Sequence, residues 1–103
     1  MKVYGVVNYP IKIIDEEIIN VLADIEIHHE EDRRIILVEC VVNYVELPKE
    51  CILEIGYLKR KFKIMHIAAT AEFGIYKLKF MFERAEDINE KDEWWDSLRS
   101  IVR

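Results

Sequence analysis

FKIMHIAATAEFGIYKLKFMF, residues 62–82, decides the fold. Reversing the chain at the loop 70–74 sets Phe62 against Phe82, Ile64 against Phe80, His66 against Leu78 and Ala68 against Tyr76. Successive strand residues point to opposite sides, so these pairs share one core face. The alternate face carries Lys61 against Glu83, Lys63 against Met81, Met65 against Lys79 and Ile67 against Lys77, which suits water or a partner. A slip of one residue would exchange the two faces, so the chemistry itself predicts this register. His66 is thereby expected in the core, satisfied by a backbone partner.

The rest of the chain extends the same pattern. Residues 3–9 are rich in β-formers, and Pro10 marks their end or an edge bulge. Residues 18–28 open on acids that could cap a helix, yet Ile19, Val21, Ala23, Ile25 and Ile27 alternate with mostly polar neighbours, and the period of two predicts a strand. After a charged tip at 30–33, residues 34–45 turn Ile36, Val38, Cys40, Val42 and Tyr44 inward. A strand over 51–58 and a turn at Lys59, Arg60 and Lys61 lead into the opening hairpin, with Ile55 expected on Ile64 and Leu53 on His66. VVNY occurs at 6–9 and again at 41–44, a recurrence too short to mark a repeat.

From residue 89 the period lengthens. Trp95, Leu98, Ile101 and Val102 form one helical stripe over about 89–102, with Asp87 or Asn89 as cap candidates and Arg99 near the far end. The predicted class is mainly β: a single domain over 1–103, built as a six-stranded antiparallel β-barrel whose C-terminal helix plugs one mouth with Trp95 and Leu98. An open sheet covered by the helix is the competing architecture.

Composition limits the function classes. A chain of 103 residues with 51% hydrophobic content suffices for one core. Its net charge of -5 argues against a dedicated nucleic-acid binder, which normally carries a positive field. Neither an apolar run of about 18 residues nor a secretory leader is evident, so no membrane span and a cytoplasmic location are expected. Cys40 and Cys51 fall on inward positions and read as buried free thiols.

No constellation supplies nucleophile, base and orienter together, so an enzyme is not expected, nor is any cofactor. Thr70, Ser97 and Ser100 are the chain's whole complement of serine and threonine, and none is predicted near a histidine. The cluster His28, His29, Glu30, Glu31 and Asp32 puts its histidines on opposite strand faces, so it reads as a solvated tip and not a metal site. Asp24 and Glu39 are expected side by side on an outer face. Two surfaces stand out as partner-binding candidates. One comprises Lys63, Met65, Lys77, Lys79 and Met81, together with Trp94 at the barrel rim; flexible methionines framed by cations suit a protein partner better than a nucleic acid, which would want outward aromatics. The other is Leu22, Ile35, Leu37 and Val41, too apolar for an ordinary solvated face and suited to a homodimer or another partner.

LPKECILEI (47–55) and GIYKLKF (74–80), followed by an acidic turn and helix, resemble the loop, fourth strand and last strand of the PilZ domain, the bacterial module that senses cyclic di-GMP. The resemblance implies a six-stranded barrel with a C-terminal helix. It also implies a ligand site made of an RxxxR pair on the N-terminal segment and a [D/N]xSxxG motif, from which this chain departs. No arginine precedes Arg33, and residues 24–29 read DIEIHH, keeping only Asp24, with Glu26 in place of the serine and His29 in place of the glycine. The implied function is that of a degenerate member: a non-enzymatic regulatory or scaffold module working through protein contacts in pilus, flagellar or surface-polysaccharide control. Alternatives are a sensor still binding a cyclic dinucleotide through Asp24, Arg33 and Arg34 or Lys59, Arg60 and Lys61, and a small RNA-binding barrel using Lys63, Lys77 and Lys79.

Overall fold

The computed structural model describes residues 2–43, 50–85 and 93–102. Six strands, β1 (Lys2–Ile14), β2 (Ile18–His29), β3 (Arg33–Asn43), β4 (Glu50–Ile55), β5 (Leu58–Ala69) and β6 (Ile75–Ala85), precede one helix, α1 (Glu93–Ile101). All neighbours are antiparallel in the order β1-β2-β3-β6-β5-β4. The barrel closes where Lys12, Ile13 and Ile14 of β1 pair with Glu54, Leu53 and Ile52 of β4, which excludes the open sheet.

The inward positions follow from the alternation. Ala23, Ile25 and Ile27 of β2 and Ile36, Val38, Cys40 and Val42 of β3 are all buried. They meet Phe62, Leu78, Phe80, Leu53 and Ile55 in one core. Burying such a side chain stabilises the fold by about 1.5–3 kcal/mol. Leu98 of α1 and Val102, just beyond its last residue, join this core and Ile101 packs against it, as the helical stripe predicts. The stripe's Trp95, the rim candidate Trp94, the caps Asp87 and Asn89, and Tyr44 lie outside the described residues or side chains.

Four expectations need correction. First, β1 runs through Pro10, which pairs with Leu22; the strand bulges between Val6 and Tyr9 instead of ending. Asn8 takes a φ of 52° there, a left-handed conformation that asparagine tolerates better than most residues. Second, β4 and β5 join at Gly56 and Tyr57, with Ile55 on Leu58, Cys51 on Phe62 and Glu50 on Lys63, so Lys59, Arg60 and Lys61 lie within β5. Gly56 decides this turn, since its φ of 56° suits a two-residue hairpin. A Cβ there would also lie 2.5 Å from Ile101 Cδ1, so the missing side chain lets the helix approach. Third, the opening hairpin keeps its predicted register at Lys63–Met81 and Ile64–Phe80, then shifts by one at Met65. Ile67 now opposes the buried Leu78 and Tyr76 opposes Ala69, yet Ile67 stays 44% exposed, outside as expected. Fourth, His66 opposes Lys79 and is exposed, so it is no core histidine.

The second VVNY runs in the other phase. Val6 packs on the core while Val7 is exposed, whereas Val41 is exposed and Val42 buried. The recurrence has no structural counterpart.

Candidate functional site

The two surfaces singled out in the sequence are one surface. β3 lies between β2 and β6, and its register with β6 sets Leu37 beside Met81 and Val41 beside Lys77. Across β2, β3, β6 and β5 the outward residues form rows. One reads Leu22, Val41, Lys77, Ala68, with Leu22 and Val41 adjoining the same cleft. The next reads Asp24, Glu39, Lys79, His66, and the third reads Glu26, Leu37, Met81, Lys63. Ile35 continues the apolar column along β3, opposite His28 and Glu83.

The middle row runs from one bulge to the other. On the β1 side the Asn8 backbone N–H, swung out by the bulge, donates to Asp24 Oδ1 at 3.0 Å. On the β5 side the bulge turns both Met65 and His66 to solvent beside Lys79. Two shallow clefts, of about 500 and 420 Å³, flank this row and share Glu39 and Lys77. Lys77 Nζ lies 2.6 Å from Glu39 Oε1 and divides the clefts. The hydrogen bond to Glu39 raises the Lys77 pKa above its ordinary value, so the ammonium is held charged.

Exposure grades across the face. Leu22 (58%), Val41 (53%) and Met65 (52%) stand in water, while Ile35, Leu37, Lys79 and Met81 are half-buried among their neighbours. Lys63 and Lys77 are exposed. Apolar groups so placed have surface to lose to a partner.

The residues named for a dinucleotide are otherwise engaged. Arg33 Nε donates to Glu30 Oε2 and its Nη1 to Glu83 Oε1 at 3.2 Å, so the guanidinium lies between two carboxylates. The bond from Arg33 lowers the Glu30 pKa, and the same bond raises that of Arg33. Arg34 is half-buried opposite His29 and Arg84, and Asp24 serves the bulge. Arg60 points a donor at the Lys59 carbonyl, 2.9 Å away.

Cys40 and Cys51 are buried free thiols, each pushed up to about 12 by desolvation, so neither is a thiolate nucleophile at neutral pH. Among the described residues no group of three or more His, Cys, Asp or Glu side chains is arranged to hold a metal ion. Among them, too, no helix is long and apolar enough to cross a membrane.

Sequence reasoning offered an edge bulge at Pro10, close to the one found between Val6 and Tyr9, but missed the bulge in β5 and the ion pair. In β5 the signal is that strict alternation would bury His66; the VVNY order is no signal by itself, since Val41, Val42 and Asn43 pair without a bulge. Comparison with protein-family models, curated proteins and solved structures gives no match.

Proposed function

We propose that this chain is a non-enzymatic regulatory or scaffold module that binds a protein through the outer face of β2, β3, β6 and β5. The observation that carries this reading is the β3–β6 register, which joins Leu37 to Met81 and Val41 to Lys77 and so brings both sets of outward apolar residues onto one surface, crossed by the charged row Asp24, Glu39, Lys79 and His66. Exposed apolar side chains interspersed with charge offer a protein partner both area to bury and polar groups that fix its register. The order of elements, six strands and then a helix, is the order implied by the PilZ resemblance. On this reading the chain is a degenerate PilZ-like module acting in pilus, flagellar or surface-polysaccharide control, in the cytoplasm, without the family's ligand. The Arg33 guanidinium held between Glu30 and Glu83 supports the last point, because it would have to leave both carboxylates to grip a phosphate.

Changing Met65 and Met81 together to Ser tests the face. The variant is expected to fold, and to retrieve less of the partner from an extract of the native host than the unaltered chain does. Equal retrieval by a folded variant overturns the proposal. Calorimetric titration with cyclic di-GMP is expected to show no saturable heat at micromolar concentrations; a clear isotherm would restore the sensor reading.

A further inference from the structure

We infer that the occupant of this outer face is a second copy of the same chain, related by a two-fold axis parallel to the strands and midway between β3 and β6. The inference rests on the protein-binding face proposed above and identifies its partner.

The reasoning starts from how charge is distributed across the strands. Within the three rows described above, outward acids stand on β2 and β3, as Asp24, Glu26 and Glu39, and outward bases stand on β6 and β5, as Lys77, Lys79, Lys63 and His66; Arg33 of β3 and Glu83 of β6, beyond these rows, pair with each other. The apolar residues Leu37 and Met81 meet between the two halves. A face-to-face two-fold along the strands superposes β3 of one copy on β6 of the other, and β2 on β5. The row Glu26, Leu37, Met81, Lys63 then meets itself reversed: Glu26 faces Lys63 of the second copy, and Leu37 faces its Met81. The row Asp24, Glu39, Lys79, His66 behaves in the same way, with Glu39 opposite Lys79 and Asp24 opposite His66. Val41 lies under the Lys77 stem. An isologous interface requires such self-complementarity, because each contact between two different residues occurs twice.

Curvature favours the same arrangement. In a closed barrel β2 and β5 fall away from the contact line on either side, and the residues required to bridge that widening gap are Glu26 and Lys63, both long and exposed. Along the centre, where the walls approach most closely, the Leu37–Met81 contacts alternate with the Glu39–Lys79 pairs. The charged rims exclude like-facing and shifted pairings, which would set acids on acids.

A charge-reversal pair tests this directly. The unaltered chain at tens of micromolar is expected to sediment as a dimer. Glu26→Lys and Lys63→Glu, each purified alone, place like charges opposite each other at two symmetric points and should weaken self-association by roughly tenfold or more. Mixing the two variants in equal amounts restores opposite charge at both points, so the mixture is expected to sediment as a heterodimer. Circular dichroism checks that each variant keeps its fold. Should Glu26→Lys fail to fold through its neighbour His28, Met81→Asp at the centre of the same row is expected to give the monomer instead. A monomeric unaltered chain at several hundred micromolar overturns the inference. So do single variants that dimerise normally, or a mixture that stays monomeric. If the chain is monomeric but the Met65/Met81 variant still loses its partner, the second-copy inference fails while the protein-binding face stands.

Discussion

Between β2 and β3 the pairing runs from His29–Arg34 to Ala23–Cys40 without a slip, whereas between β5 and β6 it passes Lys63–Met81 and Ile64–Phe80 and has shifted by one at His66–Lys79. Both hairpins draw on alternating aliphatic and charged residues. The difference lies in what falls on the inward parity. In β2 and β3 every inward position paired along that run, from Ala23 and Cys40 to Ile27 and Ile36, holds an apolar residue, so nothing is gained by a shift. In β5 strict alternation would bury His66 and expose Ile67 opposite Lys77. A bulge at Met65 instead sends His66 outward, while Ile67, now against Leu78, is still 44% exposed. Avoiding a buried imidazole that needs its own hydrogen bonds outweighs the disrupted ladder at one residue.

If that account is right, the two hairpins should respond in opposite ways to losing a residue. Deletion of Val38 removes one step from the unbulged β3 and inverts every residue beyond it, driving Glu39 inward; we expect no cooperative unfolding transition by near-ultraviolet circular dichroism. Phe80→Ala leaves the barrel intact but empties the site between Val38 and Ile64, at a cost of about 3–5 kcal/mol in a denaturant titration. At the other bulge, Asn8→Val forces a β-branched residue to a φ of 52° and should cost about 1–2 kcal/mol. Asn8→Gly should cost nearly nothing, since the bond to Asp24 comes from the backbone and survives both changes. Deletion of Met65 has the smallest effect of the deletions. His66 then takes its place opposite Lys79, Ile67 remains on Leu78, and stability should change by about 1 kcal/mol or less. A Met65 deletion as damaging as that of Val38 would show that the bulge is not absorbing a phase change at all.

The same contrast explains what could be read from the residues alone. Strand number, the β2–β3 register, the inward set apart from His66, and the closed barrel follow from runs of period two, because one buried face determines each run. Leu98 and Val102 follow likewise from the helical period. The register of β4 on β5 was not legible from the charged run Lys59, Arg60 and Lys61, which looks like a turn. A single glycine, Gly56, carries that information, through its φ and through the space it leaves for Ile101. The candidate surfaces were each legible as outward apolar residues. Their union was not, since it depends on β3 lying beside β6, a long-range pairing that no local pattern encodes.

The barrel is closed by unequal seams. β3 and β6 pair from Arg33–Ala85 to Asn43–Ile75, whereas among the described residues β1 and β4 meet only at Lys12, Ile13 and Ile14 against Glu54, Leu53 and Ile52. Thermal opening therefore begins at the short seam, where few backbone hydrogen bonds must break, while the β2–β3–β6 wall stays intact. Amides on the β1–β4 junction should exchange with solvent through this local breathing, and those of β3 only when the whole molecule unfolds. The face we assign to binding thus belongs to the slowest-exchanging part of the chain, so its rows of charge stay in place while the far side of the barrel opens and closes.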